Sequence, residues 1–279
     1  MTVERFEVLV EGGALAGTVQ GEGPRVLLLH GGPGLPDYLD GLLPELDGLR
    51  VARYQQRGLA PSTAREPFDV AVQVADVVAV LDELGWESPA IVGHSWGGHL
   101  LMHVLAAEPG RVGAALVVEP LGAVGDGGGE EFGAELERRL PEDVRARAVE
   151  IDQRAMVGEA SAEEALESLL LMWPAYFSAW EAAPPAPDIH IGAEAYAGTM
   201  MSIAAELPHL AGRLTGCRVP TRFVHGAMSP MPLTASTDSA AVLGAEVDVV
   251  DGVGHFVWIE APGAVRRSLD ALLADAGLG

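Results

Sequence analysis

Residues 90–101 read AIVGHSWGGHLL, an apolar run that ends at a serine held between glycines. The run before the serine is typical of a strand buried on both faces, and the apolar residues after Gly97 recur at helical spacing. A serine on such a sharp turn has its hydroxyl thrust out of the sheet, and Gly93 and Gly97 leave room for the strained backbone. The stretch predicts that Ser95 is a nucleophile; the alternative is a tight turn with an idle serine.

Apolar runs of the same kind recur on both sides of this stretch and alternate with helical patterns. We predict strands near residues 5–10, 14–19, 25–30, 50–54, 88–94, 113–119, 219–225 and 245–250. We predict helices over residues 70–84, 97–107 and 263–276. Strands that alternate with helices predict an α/β fold whose mostly parallel central sheet is flanked by helices on both faces.

The alternation stops between residues 122 and 210. This segment has glycines, a proline-rich stretch and acidic amphipathic patterns at residues 142–157 and 161–172, but no convincing strand. Helices inserted late into an α/β sheet are typical of a lid over an active site. We therefore predict a core of residues 1–121 and 211–279 and a helical lid of residues 122–210.

The composition restricts the class of partner. The 279 residues include 40 acidic and 17 basic side chains, for a net charge of −23, which repels nucleic acids and anionic membrane surfaces and leaves a small-molecule substrate. The single cysteine, Cys217, cannot form an internal disulfide, and no signal-peptide pattern opens the chain. No apolar run is long enough to span a bilayer. We therefore expect the protein to reside in the cytoplasm.

The segment HGGPG, residues 30–34, follows another buried strand. An enzyme that transfers an acyl group needs backbone N–H groups aimed at the oxyanion that forms on the substrate. Pro33 has no N–H, so the natural donors are the amides of Gly32 and of Trp96, the residue after the nucleophile. The alternative is a glycine-rich turn that only leads out of the strand.

A base must take the proton of the nucleophile, and His255 is the best placed of the eight histidines. It follows the last predicted strand and precedes the last helix, which puts it at the same edge of the sheet as Ser95. His99 and His103 lie one turn apart on a helix, but the segment lacks the glutamate of a zinc motif and has an apolar interior, which favours packing. No metal or organic cofactor is expected.

Four motifs in this order, HGGPGLPDYL, YQQRGLAPS, GHSWGG and GHFVWIE, carry a resemblance to the α/β-hydrolase superfamily, and within it to proline iminopeptidases and their relatives. The resemblance covers nearly the whole chain, with the lid matched only loosely. It implies an α/β-hydrolase fold with a serine nucleophile and with the helical lid inserted after the sixth core strand. It also implies a catalytic triad in the chain order nucleophile, acid, histidine.

In that family the acid is usually an aspartate on the loop after the seventh strand. Here the loop reads HGAMSPMP, residues 225–232, and Ser229 stands at the position of the aspartate. A hydroxyl cannot stabilise an imidazolium, so we expect the acid elsewhere. Glu119 ends the preceding strand, from which some α/β-hydrolases take their acid, and is our first prediction. Asp251 and Asp238 are the alternatives, and a further one is that the triad has no acid.

The lid offers candidate substrate-binding residues. Proline iminopeptidases hold the free amine of the substrate with lid glutamates, and in YFSAWE this chain has Glu181 after Trp180. Glu181 is therefore either an amine-binding residue or a solvated acid. Trp96, Trp173, Phe177 and Trp180 either form an apolar acyl pocket or fill the core of the lid.

We predict a serine hydrolase that forms an acyl-Ser95 intermediate and acts on a small ester, amide or aminoacyl substrate. Two alternatives stay open. One is a cofactor-free lyase, C–C hydrolase or perhydrolase on the same fold; the other is a ligand-binding module that has lost turnover, which Ser229 supports. Dehalogenase and epoxide-hydrolase chemistry are disfavoured because both need an aspartate nucleophile where Ser95 stands.

Overall fold

The fold is built on eight strands, which a computed structural model describes together with the rest of residues 2–156, 161–187 and 189–279. The strands are β1 (Val3–Val10), β2 (Gly13–Gln20), β3 (Arg25–Leu29), β4 (Arg50–Tyr54), β5 (Ala90–His94), β6 (Ala114–Val118), β7 (Thr221–Gly226) and β8 (Glu246–Val250). Every predicted strand is present, and the ends differ from the prediction by a few residues at most.

Nine α-helices are present among the described residues. They are α1 (Val70–Glu83), α2 (Trp96–Ala107), α3 (Gly129–Arg139), α4 (Glu142–Met156), α5 (Ala162–Met172), α6 (Ala193–Leu214), α7 (Leu233–Leu243), α8 (Val257–Glu260) and α9 (Ala264–Asp275). Short 3-10 helices occupy Leu39–Leu46, Pro109–Arg111, Trp173–Tyr176 and Trp180–Ala182. The predicted end of α4 at Val157 lies outside the described residues.

The strands form one sheet in the order β1-β2-β4-β3-β5-β6-β7-β8. The pairs β1–β2 and β2–β4 are antiparallel, and the other pairs are parallel. Every residue of β5 and β6 is buried, because helices cover both faces of the central sheet. This explains why the central strands read as continuous apolar runs and confirms the predicted α/β sheet.

Two apolar layers hold the helices against the sheet. On one face, α1 and α2 contribute Val77 and Leu100 to a core that also contains Ile91 of β5. On the other face, Leu269 of α9 and Val92 of the same strand belong to a second core. Side chains that alternate along β5 thus enter opposite cores, which fixes the direction in which the strand delivers the residues that follow it.

The described residues between β6 and β7 contain helices and loops but no strand. The division into a core and a helical lid stays a prediction. The helix α6 runs from Ala193 to Leu214, and so it crosses the predicted boundary at residue 210 and leads from the insertion into the core. None of the helices in the described ranges has both the length and the apolarity needed to cross a membrane.

Candidate active site

Four residues lie at the carboxyl edge of the parallel sheet, and hydrogen bonds link three of them, Glu119, Ser229 and His255. Ser95 follows β5, Glu119 follows β6, Ser229 lies on the loop after β7, and His255 lies on the loop after β8. Because neighbouring parallel strands end at the same edge, residues that lie far apart in sequence come within reach of one another there.

Ser95 occupies a strained turn between β5 and α2. Its φ and ψ angles are 54° and −119°, a conformation that L-residues rarely adopt. A methyl group on Gly97 would lie 2.1 Å from the carbonyl oxygen of Leu29, so this close approach requires glycine. Ser95 is partly exposed, and its hydroxyl makes no hydrogen bond with any described residue. The hydroxyl is therefore free to meet a ligand.

Glu119 and His255 form a buried contact. The distance between Glu119 Oε2 and His255 Nδ1 is 3.2 Å, and the two side chains are 0% and 2% exposed. Since the carboxylate accepts the hydrogen bond, Nδ1 carries the proton and Nε2 keeps its lone pair. Burial lowers the pKa of His255 to about 3, so the imidazole is neutral at pH 7. A neutral imidazole with a free Nε2 is the form that a general base requires.

Two further groups donate to the same carboxylate. The Ser229 hydroxyl donates to Glu119 Oε2 at 2.6 Å, and the Gly226 N–H donates to Oε1. Burial raises the pKa of Glu119 to about 7, against the lowering effects of His225, the Ser229 hydroxyl and the Gly226 N–H. The residue at the usual place of the acid is thus a hydrogen-bond donor to the glutamate of the neighbouring strand.

The other candidate acids stay away from the imidazole. Asp251 lies in the turn after β8 and Asp238 on α7, and neither forms a hydrogen bond or an ion pair with His255. Within the described ranges, Glu119 is the acidic residue that makes such a contact. The geometry therefore favours Glu119 over Asp251 and Asp238 as the partner of the histidine.

Backbone strain marks the same two residues. In the described part of the chain, Ser95 and Glu119 are the two non-glycine residues with positive φ, at 54° and 53°. Such conformations cost of the order of 1–3 kcal/mol each and persist where the surroundings hold them, as they do at functional sites. The Ser95 N–H donates to Val118 O at 2.9 Å and the Glu119 N–H donates to Val224 O at 3.0 Å, so each strained residue is held by the next strand.

A second histidine joins the turn after β5 to the loop that carries His255. The Tyr38 hydroxyl donates to His94 Nδ1 at 2.7 Å, and His94 Nε2 donates to the carbonyl oxygen of His255 at 3.0 Å. The residue before Ser95 therefore holds the backbone of His255. The sequence places His94 beside the nucleophile, but no sequence pattern indicates that Tyr38 is its partner.

The histidine loop is also tied to the helical insertion. The His255 N–H donates to Tyr176 O at 2.8 Å. Glu260 accepts from the Gly254 N–H at 2.7 Å and from the Ser178 N–H at 3.0 Å. The loop that carries His255 is thus hydrogen-bonded to the insertion at Tyr176 and Ser178.

The predicted oxyanion donors lie beside Ser95. A methyl group on Gly31 would lie 2.8 Å from Cβ of Ser95, so the loop that contains Gly32 passes next to Ser95. Gly32 has a φ of 64°, and neither its N–H nor that of Trp96 is used in a hydrogen bond within the described residues. The Trp96 ring is 4% exposed and donates to Gln56 Oε1, so it belongs to the core.

The lid aromatics predicted to bind substrate are largely packed against one another. Phe177 is 1% exposed, with ring centroids 5.0 Å from Trp173 and 5.4 Å from Phe256. Trp180 packs at the edge of a small apolar cluster of the insertion, and Glu181 is exposed. This packing matches the alternative in which the aromatics fill the core of the lid.

Two other aromatic rings stand next to the imidazole. The ring centroids of Tyr176 and Phe132 lie 5.4 Å and 6.2 Å from that of His255. Tyr176 is the first residue of YFSAWE, and Phe132 lies on α3 where no sequence pattern singles it out. These rings place apolar surface of the insertion over the histidine.

The helical histidine pair forms a hydrogen-bonded chain. Nε2 of His103 lies 3.2 Å from Nε2 of His99, whose Nδ1 donates to Leu121 O at 3.1 Å. Arg213 donates to His103 Nδ1 at 3.4 Å. Among the described residues there is no cluster of three or more His, Cys, Asp or Glu side chains that could hold a metal ion.

Comparisons with known proteins agree with this architecture. A family model for the α/β hydrolase fold matches residues 24–262. Lipase LipV of Mycobacterium tuberculosis is 32% identical over 106 residues, which are 37% of this chain and 41% of the lipase, so the chain spans less than half of the length of that relative. Epoxide hydrolase A of the same organism is 28% identical over an alignment of 291 positions, gaps included, which covers 88% of this chain and 89% of that protein.

A solved structure extends the likeness to almost every residue. The proline iminopeptidase-related protein from Thermus thermophilus superposes with a TM-score of 0.70 at 24% identity, and the match covers 98% of both chains. At this identity the likeness concerns the fold. With the family model over residues 24–262, the sheet order and the serine turn, the chain belongs to the α/β hydrolase fold family.

Proposed function

We propose that this protein is a serine hydrolase in which Ser95 is the nucleophile, His255 the general base and Glu119 the acid. What supports the proposal is the 3.2 Å contact between Glu119 Oε2 and His255 Nδ1 at the edge where Ser95 leaves β5. The lipase and epoxide hydrolase names of the relatives point to hydrolysis as the reaction class. An epoxide hydrolase needs a carboxylate nucleophile, whereas residue 95 is a serine.

In the acylation step, His255 Nε2 takes the Ser95 proton while Oγ attacks the substrate carbonyl carbon. The π-electron pair moves to the carbonyl oxygen, where the N–H groups of Gly32 and Trp96 stabilise the negative charge. The tetrahedral adduct then collapses, and the leaving group departs with the proton of His255. In deacylation, His255 takes a proton from a water molecule, which attacks the acyl carbon. The carboxylic acid product is released and Ser95 regains its proton.

Glu119 has two roles in this scheme. Its acceptance of the Nδ1 proton selects the tautomer in which Nε2 is the base, and its charge stabilises the imidazolium that forms in each step. The Ser229 hydroxyl, 2.6 Å from Glu119 Oε2, supports the carboxylate. A serine at the usual position of the acid is then no argument for a binding module that has lost turnover.

We propose that residues 122–210 act as a lid and that the substrate is a small ester, amide or aminoacyl compound. Tyr176 and Phe132 lie beside the imidazole, so an apolar acyl or leaving group suits this part of the insertion. Glu181 is exposed, which fits a solvated acid better than a site for the substrate amine.

A fluorophosphonate probe tests the nucleophile. We expect one equivalent of label on Ser95 by intact mass and peptide mapping, no label on Ser95→Ala, and labelling slowed by about 10²-fold or more in His255→Ala. His209→Ala, which changes an exposed histidine, is the control and should label at the wild-type rate. A folded wild-type protein that takes no label would instead support the ligand-binding module.

A substrate panel then separates the subclasses. We expect short-chain nitrophenyl esters to be hydrolysed faster than aminoacyl-naphthylamides, with no effect of Glu181→Ala on either. Loss of prolyl-naphthylamide turnover in Glu181→Ala would identify Glu181 as an amine-binding residue and the protein as a peptidase.

A further inference from the structure

Gln56 joins the two loops that carry the predicted oxyanion donors. It lies just after β4 and is 3% exposed. Its side-chain Nε2 donates to the carbonyl oxygen of His30 at 2.7 Å, and its Oε1 accepts from Trp96 Nε1 at 2.8 Å. One side of the amide thus holds the HGGPG loop and the other holds the residue after the nucleophile.

The backbone of Gln56 fixes the HGGPG loop a second time, through the imidazole of His30. The Gln56 N–H donates to His30 Nε2 at 3.1 Å, so the ring proton sits on Nδ1, which donates to the carbonyl oxygen of Gly31 at 2.8 Å. Burial lowers the pKa of His30, which agrees with this neutral tautomer.

This contact sets the direction of an oxyanion donor. The carbonyl oxygen of Gly31 and the N–H of Gly32 belong to the same planar trans peptide, so they point in opposite directions. When His30 holds the oxygen from one side, the N–H of Gly32 is turned to the other. A methyl group on Gly31 would lie 2.8 Å from Cβ of Ser95, so this peptide passes next to the nucleophile.

We propose that Gln56 is a positioning residue that fixes the amides of Gly32 and Trp96 relative to one another, and so aligns the oxyanion hole. This inference rests on the proposed serine-hydrolase function. Gln56 acts through His30 and Trp96, because both polar atoms of its side chain are already used in the contacts to those residues.

An aligning role differs from a purely structural one in what it changes. Misaligned donors weaken the bond to the oxyanion, which exists only in the tetrahedral adduct, and leave binding of the ground-state substrate unchanged. Removal of one oxyanion donor lowers kcat by about 10²–10³-fold, so loss of alignment should lower kcat by roughly 10–10²-fold. KM should stay near the wild-type value.

The test compares Gln56→Met with Gln73→Met. Gln73 is also 3% exposed and hydrogen-bonded through its side-chain amide, but it lies on α1 and contacts Phe68 O and Thr199, away from the site. For each variant we would measure kcat and KM on a nitrophenyl ester, the inhibition constant of a trifluoromethyl ketone, and Tm. The ketone forms a tetrahedral adduct with Ser95 that carries its negative oxygen in the oxyanion hole.

We expect Gln56→Met to lower kcat and to weaken the ketone by the same factor, roughly 10–10²-fold, at nearly constant KM. Gln73→Met should lower Tm without changing either constant. A Gln56→Met variant that is less stable but keeps the wild-type kcat and ketone affinity would overturn the inference while leaving the serine hydrolase intact. A wild type without turnover and without fluorophosphonate labelling would refute the proposed function first, and the inference with it.

Trp96→Phe gives an independent variant if Gln56→Met does not fold. It keeps an aromatic ring and removes the N–H that reaches Gln56 Oε1. We expect the same loss in kcat and in ketone affinity at constant KM, and a Trp96→Phe enzyme with the wild-type values of both would overturn the inference.

Discussion

Ser229 stands where the resemblance to the family places an aspartate, and it contacts the proposed acid. Where the family usually has an aspartate, the serine hydroxyl lies 2.6 Å from Glu119 Oε2. It donates to the carboxylate that faces His255, and so it favours the charged form of a deeply buried acid. Where the resemblance implies an acid, this chain has a hydrogen-bond donor.

This role predicts a pH effect. The proposed mechanism needs ionised Glu119, and burial raises the pKa of Glu119 to about 7, so kcat/KM should fall as the pH falls through about 7. Ser229→Ala removes a hydrogen bond that lowers this pKa, and the acid limb of the profile should move to higher pH. The measurement is kcat/KM against pH for both proteins, and the apparent pKa belongs to the Glu119–His255 pair.

Ser239→Ala is the control for this experiment. Ser239 is buried on α7 and its hydroxyl donates to Ala235 O, away from Glu119. The profile of Ser239→Ala should match that of the wild type. An acid limb that stays in place in Ser229→Ala would mean that Ser229 does not support the carboxylate.

At the scale of elements, the central strands could be predicted because each is buried on both faces and reads as an apolar run. The same reasoning reaches Ser95, His255 and Glu119, since residues that end parallel strands gather at one edge. The contacts of Gln56 could not be predicted in this way. They depend on how three loops that are distant in sequence pack together, and the hydrophobic periodicity of a sequence does not indicate such packing.

Phe132 is a second residue whose contacts could not be predicted from the sequence. It lies on α3, in an insertion that the sequence resolves only as helical, and its ring is 6.2 Å from that of His255. The direction in which an inserted helix faces the core depends on tertiary packing. For the same reason the sequence left open whether Phe177 lines a pocket, whereas the structure places it in the core at 1% exposure.

The turn from β5 into α2 makes a prediction about stability. A methyl group on Gly97 would lie 2.1 Å from Leu29 O and 2.6 Å from His30 O, and backbone atoms cannot move aside as a flexible side chain can. We expect Gly97→Ala to reduce the free energy of unfolding in urea by about 2 kcal/mol or more. Gly110→Ala is the control, because nothing lies within 4 Å of its added methyl group. Equal stability of the two variants would contradict the close packing at this turn.

At the scale of the whole molecule, the fold determines where the chemistry can sit but leaves the substrate open. The match to the Thermus protein covers 98% of this chain at 24% identity, so the same sheet accommodates very different side chains. What the fold supplies here is one edge of the sheet, at which the residues that follow β5, β6 and β8 lie, among them Ser95, Glu119 and His255. We expect the choice of substrate to depend instead on the insertion, where the resemblance is loosest.

A buried ion pair between Arg57 and Asp76 links the loop after β4 to α1. The side chains of Arg57 and Asp76 are 0% and 4% exposed, and Arg57 also donates to the carbonyl oxygens of Pro67 and Glu11. Arg57 follows Gln56 directly. The loop that contacts His30 and Trp96 is therefore itself anchored to α1 and to the turn after β1.

The most direct test of a displaced acid is the kcat/KM of Glu119→Gln on an ester that the wild type hydrolyses. We predict a fall of about 10⁴-fold, because a neutral amide cannot stabilise the imidazolium. Asp251→Asn and Asp238→Asn should keep the wild-type value, and Ser229→Asp should restore part of the activity to Glu119→Gln, because residue 229 already touches Glu119 Oε2. A Glu119→Gln enzyme within a few-fold of the wild type would contradict the assignment of Glu119 as the acid.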